Sequence, residues 1–336
     1  MKQILSDLLI YPFDNNLIEA LDTNADTLFI NCLPVPSLNE GDVLNFYAND
    51  EKKWRNGSHK IISGLEDNFY DQIFCTLPKN KIEVRYFISL ITKHLNKKGR
   101  IIISAANDLG GKNLPKWMNE FGFIGENFSK KKSRVFVGKL EKPDNNMIQE
   151  CFEAGSMHEL TLDGIEFLTQ SGVFGWDKVD RGSKLLVETI DKSLSGVGAD
   201  FGCGYGYLSH QILFKYKDIK KLYAIDVDSR AISCARKNLK HFDTEVSYHW
   251  ADLTKPFPFK EKLHWIVMNP PFHEGKERKD NLGQAMIESA YQALGNTGVL
   301  YMVANRHLPY EKTLSMFSSV EKLKEEDGFK VYRAVK

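Results

Sequence analysis

Asn269-Pro270-Pro271-Phe272 puts an amide, two prolines and an aromatic ring in consecutive positions, directly after the apolar run Leu263–Met268. The chemistry that needs such a set is methylation of a flat amino group, whose nitrogen lone pair is delocalised into its ring. The Asn269 side-chain oxygen and the Pro270 carbonyl can accept the two N–H protons and draw the nitrogen toward sp³ geometry. Pro270 and Pro271 fix those carbonyls in place, and Phe272 offers a face on which the ring stacks. The methylated cation loses its proton easily, so the site needs no strong base; in-line placement supplies most of the rate. Asn269, Pro270, Pro271 and Phe272 are therefore the expected catalytic set. His273 and Glu274 follow, and a charged lip occupies 276–279. A loop histidine beside a glycine is more often solvated than catalytic.

The methyl donor has its own signature upstream. Asp200-Phe201-Gly202-Cys203-Gly204-Tyr205-Gly206 ends a short strand and leads into a helical pattern from Tyr207. Glycines at alternate positions permit positive φ and a close backbone approach, and a helix N-terminus brings N–H donors to a polar ligand. A dinucleotide fingerprint would require glycine where Tyr207 stands, which argues against a dehydrogenase. Asp226 ends the next strand about twenty residues on, placed to accept both hydroxyls of an adenosine ribose. Its competing role, capping the following helix, is better filled by Asp228 and Ser229. Asp252, at the end of a third strand, is placed to accept from an adenine amino group, though it also suits a solvated loop. The expected cofactor is S-adenosylmethionine, held by Asp200, Gly202, Gly204, Gly206, Asp226, Asp252 and Asn269.

The elements that position these residues alternate between strand and helix in both halves. Strand-like runs fall at 27–31, 43–47, 72–76 and 100–104, then at 197–201, 222–226, 246–250, 263–268 and 299–303. This alternation predicts α/β architecture with a parallel sheet covered on both faces. The halves resemble each other in matching order: the run from Tyr70 to Pro78 parallels that from Leu263 to Pro271, and Gly99 to Asn107 parallels Gly298 to Asn305. Each closes on an apolar, hairpin-like end. A duplicated domain is the reading, with a polar linker at 141–146 separating domains 1–142 and 147–336. The first half lacks the glycine turn and has Leu77-Pro78 in place of Asn-Pro-Pro-Phe, so it is expected to be catalytically empty.

Bulk composition narrows the classes. The chain has 336 residues, 42% hydrophobic and 12% aromatic, and a net charge of +1, so any nucleic-acid binding must come from local patches. The five cysteines show no Cys-x-x-Cys pairing, which argues against a disulfide framework and structural zinc. No cluster has metal spacing. With no long apolar run and no cleavable leader pattern, the chain reads as soluble and cytoplasmic, without a membrane segment.

Asn269-Pro270-Pro271-Phe272-His273, the run from Gly172-Val173-Phe174 to Asp180-Arg181-Gly182-Ser183, and the ending from Gly328 to Ala334 resemble the ribosomal RNA small subunit methyltransferase C family. Leu77-Pro78-Lys79-Asn80-Lys81 is similar to that family's Pro-Lys-Asn-Lys element. The resemblance implies two tandem Rossmann-like class I methyltransferase domains, each a seven-stranded, mostly parallel sheet with a C-terminal antiparallel hairpin, the N-terminal one degenerate. It implies methyl transfer to the N2 of a guanine in 16S rRNA, within the 30S subunit or an assembly intermediate, by a monomer. It also implies that Phe174 and Ser183 help close the cofactor pocket. Gly175 and Val179 depart from the family's usual serine and leucine.

Three other readings compete. A large-subunit rRNA guanine-N2 enzyme shares the motifs and the duplicated layout. A glutamine-amide methyltransferase of release factors usually carries tyrosine where Phe272 stands. A non-catalytic RNA-binding or assembly factor suits the first half but not the second. For RNA, the densest basic clusters are Lys52-Lys53-Trp54-Arg55 and Lys130-Lys131-Lys132-Ser133-Arg134. The first domain is then a docking platform for RNA or a stabiliser of the second, and the target base must leave its stack to reach the pocket.

Overall fold

The computed structural model describes residues 1–55, 57–271 and 280–336, with backbone alone at 280 and 281. Phe272, His273, Glu274 and the basic lip at 276–279 lie outside the described residues. The chain forms two compact units, Met1–Met157 and His158–Lys336.

The first unit contains β1 (Thr27–Ile30), β2 (Glu40–Leu44), β3 (Ser58–Ile62), β4 (Tyr70–Thr76), β5 (Leu95–Ala106), β6 (Phe123–Lys130) and β7 (Ser133–Leu140). They form one sheet in the order β3-β2-β1-β4-β5-β7-β6. β1 to β5 run parallel, whereas β7 pairs antiparallel with both β5 and β6. The second unit opens with an antiparallel hairpin of β8 (His158–Leu162) and β9 (Ile165–Thr169). β10 (Gly196–Phe201), β11 (Ile219–Asp226), β12 (Glu245–Trp250), β13 (Leu263–Met268), β14 (Leu294–Asn305), β15 (Ser319–Glu326) and β16 (Phe329–Val335) follow. Their order, β12-β11-β10-β13-β14-β16-β15, repeats that of the first sheet strand for strand.

Central strands are buried on both faces and so read as continuous apolar runs. In β13, Trp265, Ile266, Val267 and Met268 are buried, and Ile266 and Met268 share a core with Ala199, Phe201, Ile225 and Met302 of the same sheet. The strand order reverses between β10 and its two neighbours, β11 and β13. A crevice opens at the carboxyl ends there, and in open α/β sheets such a crevice receives the ligand.

The unit boundary falls later than the polar stretch at 141–146 suggested. Asp144 caps the helix Asn145–Gly155 by accepting from Met147 N–H at 3.0 Å. That helix buries Ile148 in the first core and lays Met147, Cys151 and Phe152 against it. Gly155 lies so close to the Tyr86 ring that a Cβ there would come within 2.2 Å of Tyr86 Cβ. The polar residues at 141–146 thus include this helix's cap and the start of its first turn. Five strands escaped the sequence reading: β3, β6, β8, β9 and β15. β3 is a half-exposed edge strand, β6 is mostly exposed on its outer rim, and β8 is half polar. The cysteines are free, as expected.

Candidate functional site

Asn269 follows the last residue of β13, is 8% exposed, and has an amide with two unlike ends. Its Nδ2 donates to Asp180 Oδ1 at 2.6 Å and to Ser183 Oγ at 2.8 Å. Its Oδ1 is buried and, among the described residues, has no hydrogen-bond partner. Leaving a buried acceptor unpaired costs about 1–3 kcal/mol, so the position calls for a donor from outside the described residues. Asp180 is itself held as the cap of the helix Arg181–Thr189, accepting from Ser183 N–H at 2.8 Å. Pro270 is buried and Pro271 half-buried, which fixes the backbone that carries the amide.

Asn269, Asp180 and Ser183 line a pocket together with Gly202, Cys203, Gly204 and Tyr205 of the turn after β10. Exposed Phe174 stands at its wall. Gly202 and Gly204 have φ of 78° and 55° and face open space, since a Cβ on either would meet nothing nearer than 3.7 Å. The room they leave is available to a ligand. Gly206 differs: it has φ of 95°, and a Cβ there would lie 3.3 Å from Ala235 Cα, so it serves helix packing.

The acids divide in the same way. Asp226, at the end of β11, accepts from Gly204 N–H at 2.8 Å and Asp228 N–H at 2.9 Å, and so braces the glycine turn. Loss of water around its carboxyl raises it to about 6, against the lowering effect of those N–H donors. Asp228 is the helix cap, accepting from Arg230 N–H and pairing with the Arg230 guanidinium at 2.7 Å, which leaves Asp226 to the crevice. Of the expected cofactor set, Gly202, Gly204 and Asn269 line the pocket, whereas Asp200, Gly206, Asp226 and Asp252 do not. Asp200 is fully buried and spends Oδ2 on Ser209 N–H (3.0 Å) and Ser209 Oγ (2.6 Å). Burial pushes its carboxyl up to about 7. Its role is to anchor the helix Tyr207–Lys215 that follows the turn. Asp252 lies beyond the end of β12 and closes a turn on Thr254, with N–H at 3.0 Å and Oγ at 2.6 Å.

Sequence reasoning gave Ser183 a share in the pocket wall but no part in orienting Asn269, and it gave Asp180 no role. The available signal was the Asp-x-x-Ser spacing, a helix-start pattern whose hydroxyl falls on the first turn.

The first unit closes the equivalent place. Ile30 pairs with Leu44 and Cys75 as Phe201 pairs with Ile225 and Met268, so Asn31, Asn45 and Thr76 take the positions of Gly202, Asp226 and Asn269. Asn31 Nδ2 donates to Thr76 O at 2.9 Å, and the Thr76 hydroxyl returns a bond to Asn31 O. Lys2 Nζ fills the remaining space, donating to Asn31 Oδ1 at 2.9 Å and Asp50 Oδ2 at 2.7 Å. The Asn45 amide is spent at both ends on Tyr47. The crevice is sealed by its own polar groups.

The basic clusters are partly engaged. Lys53 reaches Asp50 at 3.3 Å, Arg55 reaches Glu51 at 2.7 Å, and the Lys130 ammonium lies 3.9 Å from the Tyr11 ring centre. Trp54 is fully buried and unavailable for stacking on a base. No group of three or more metal-ligating side chains occurs among the described residues, and no described helix is long and apolar enough to cross a membrane.

The methyltransferase small domain family matches residues 164–333, and the family of its N-terminal domain matches residues 45–153. Proteins named ribosomal RNA small subunit methyltransferase C are similar over most of the chain. The one from Enterobacter sp. (strain 638) is 31% identical over 79% of this chain and 75% of its own length. The one from Alteromonas mediterranea is 28% identical over 97% and 93%. A solved T. thermophilus 16S rRNA N2 methyltransferase, in complex with AdoMet and guanosine, has the same fold. Its TM-score is 0.80 at 21% identity, covering 99% of this chain and 92% of that one.

Proposed function

The chain belongs to the methyltransferase small domain family and, within it, to the ribosomal RNA small subunit methyltransferase C family, and we propose that it transfers a methyl group from S-adenosylmethionine to the exocyclic N2 of a guanine in 16S rRNA. The observation that carries this reading is the buried Oδ1 of Asn269, without a partner among the described residues, in a pocket walled by a glycine turn. It is an acceptor fixed where an N–H donor must arrive. In the second unit the residues fit the cofactor: Gly202 and Gly204 leave room, and Asp226 presents a carboxylate at the strand end. When bound, S-adenosylmethionine would supply an electrophilic methyl, whose bond to sulfur would break as the in-line amine nitrogen takes it, with a neutral thioether leaving and the nitrogen's extra proton passing to water. Asn269 Oδ1 and the Pro270 carbonyl hold the amine's protons, and Phe272, on sequence grounds, supplies the stacking face.

Asp226 receives the ribose hydroxyls in this reading, and Asp252 the adenine amino group. The substrate is RNA of the small ribosomal subunit, free or in an assembling particle, met by a monomer in the cytoplasm. The sealed first unit supports RNA docking or the stability of the second.

Mapping N2-methylguanine in ribosomal RNA from cells with and without the protein tests the reading. One small-subunit guanine should lose its methyl group in the deletion and regain it on complementation. A loss confined to large-subunit RNA would transfer the activity there, and no loss at any guanine would overturn the assignment.

A further inference from the structure

Any amide has two faces of opposite polarity, and only one of them can draw an amine into place. We propose that Asp180 and Ser183 are positioning residues that fix the polarity of the Asn269 amide and so restrict this site to substrates presenting N–H donors. The proposal deepens the guanine-N2 reading and rests on it.

The geometry leaves the amide one orientation. Asp180 Oδ1 lies 2.6 Å from Asn269 Nδ2 and already accepts from Ser183 N–H at 2.8 Å. An ionised carboxylate only accepts hydrogen bonds. If the amide were rotated, Asn269 Oδ1 would face the carboxylate oxygen at that same distance, two acceptors in repulsion. The Asn269 nitrogen would then point into the pocket with no acceptor. Ser183 Oγ at 2.8 Å takes the second amide proton and completes the lock. The lock is anchored in turn: Asp180 caps a helix whose N-terminal N–H groups stabilise its charge, and Leu186 of that helix is fully buried.

The consequence is specificity for a class of group. A fixed Oδ1 attracts an exocyclic amine and repels a carbonyl oxygen or an unprotonated ring nitrogen. Discrimination of this kind, by a buried polar group that would otherwise be left unpaired, is stronger than shape alone provides.

The test uses the full-length protein with Asp180→Ala, Ser183→Ala, the double variant, Asp180→Asn and Asn269→Ala. Asp180→Asn keeps both an acceptor oxygen and a good helix cap, so it is the rescue. Calorimetry with S-adenosylhomocysteine reads the cofactor site separately from turnover. The double variant should lose about 100-fold in kcat and far less in cofactor affinity, and Asp180→Asn should recover most of the rate. Ser183→Ala keeps the cap intact and should show a smaller loss of kcat, which reads the lock even if the double variant does not fold. A double variant with wild-type kcat, alongside an inactive Asn269→Ala, would overturn the lock alone. Parallel loss of cofactor binding and kcat, unrelieved in Asp180→Asn, would also overturn it by reducing both residues to structural supports. A fully active Asn269→Ala would instead remove the reading on which the lock depends.

Discussion

Asn31 and Gly202 end the central strands of the two sheets with positive φ, 51° and 78° respectively, and differ by a side chain that fills one crevice and leaves the other open. Where Asn31 bonds across to Thr76 and is met by Lys2, Gly202 offers space. The backbone was kept in both copies while the cavity was kept in one. Titration with S-adenosylhomocysteine should therefore saturate at one equivalent per chain, and Asp226→Ala should abolish the signal. Two equivalents, or an unaffected Asp226→Ala, would contradict the assignment of an empty first unit.

Cofactor binding should depend on pH through Asp226. Its carboxyl is raised to about 6 by loss of hydration, and only the ionised form can accept two ribose hydroxyls. Affinity should be steady above neutrality and fall as pH drops through 6, approaching about tenfold per unit at the acid end. The ligand-free protein should respond in the opposite sense. A folded-state value above the ordinary 3.8 means that the native state holds the proton more tightly than the unfolded chain. That contribution to stability is full below about 4 and is lost as pH rises to about 6. Calorimetry between pH 5 and 8 checks the first part; a flat profile would separate Asp226 from the ribose.

Replacing Asn269 by alanine separates binding from chemistry. The amide is held by Asp180 and Ser183, with no hydrogen bond to the glycine turn, so cofactor affinity should fall far less than turnover. Turnover should fall about 100-fold, the usual cost of removing one acceptor or donor aimed at the reacting group. The Asp180 and Ser183 oxygens lose a partner, which should lower stability by about 1 kcal/mol. Single-turnover methylation of rRNA and a urea melt measure the two effects, and near-normal turnover would dismiss the side chain from the reaction.

Much of this was legible in the sequence because the informative residues are those whose physics is local. Gly202-x-Gly204-x-Gly206 signals a turn by backbone freedom, and the β13 run reads as a buried strand without knowledge of its partners. The duplication was visible because both halves keep the same order of apolar runs. What stayed hidden depends on distant partners. Asp180 and Asn269 are 89 residues apart, and neither reveals that the other fixes its orientation. Asp200 looked like a ligand because it borders the turn, yet it points into the helix start at Ser209. β3 and β8 were missed because half-exposed strands carry too few apolar residues to stand out from loops.

The unit boundary supplies a test of packing. The helix Asn145–Gly155 follows the polar stretch that suggested a linker, yet it buries Ile148 in the first core and sets Phe152 against Tyr86 with ring centres 5.6 Å apart. Arg85 reaches across to Cys151 and Met147, each sulfur 3.4 Å from a guanidinium nitrogen. Fully burying one large aliphatic side chain stabilises a fold by about 1.5–3 kcal/mol, so removing the helix takes away a large share of a small domain's net stability. A fragment ending at residue 157 should unfold cooperatively and stay soluble, whereas one ending at residue 142 should melt at lower temperature and aggregate through its exposed helix Lys81–His94. Equal melting temperatures by circular dichroism would show that the helix is an appendage and would return the boundary to 141–146.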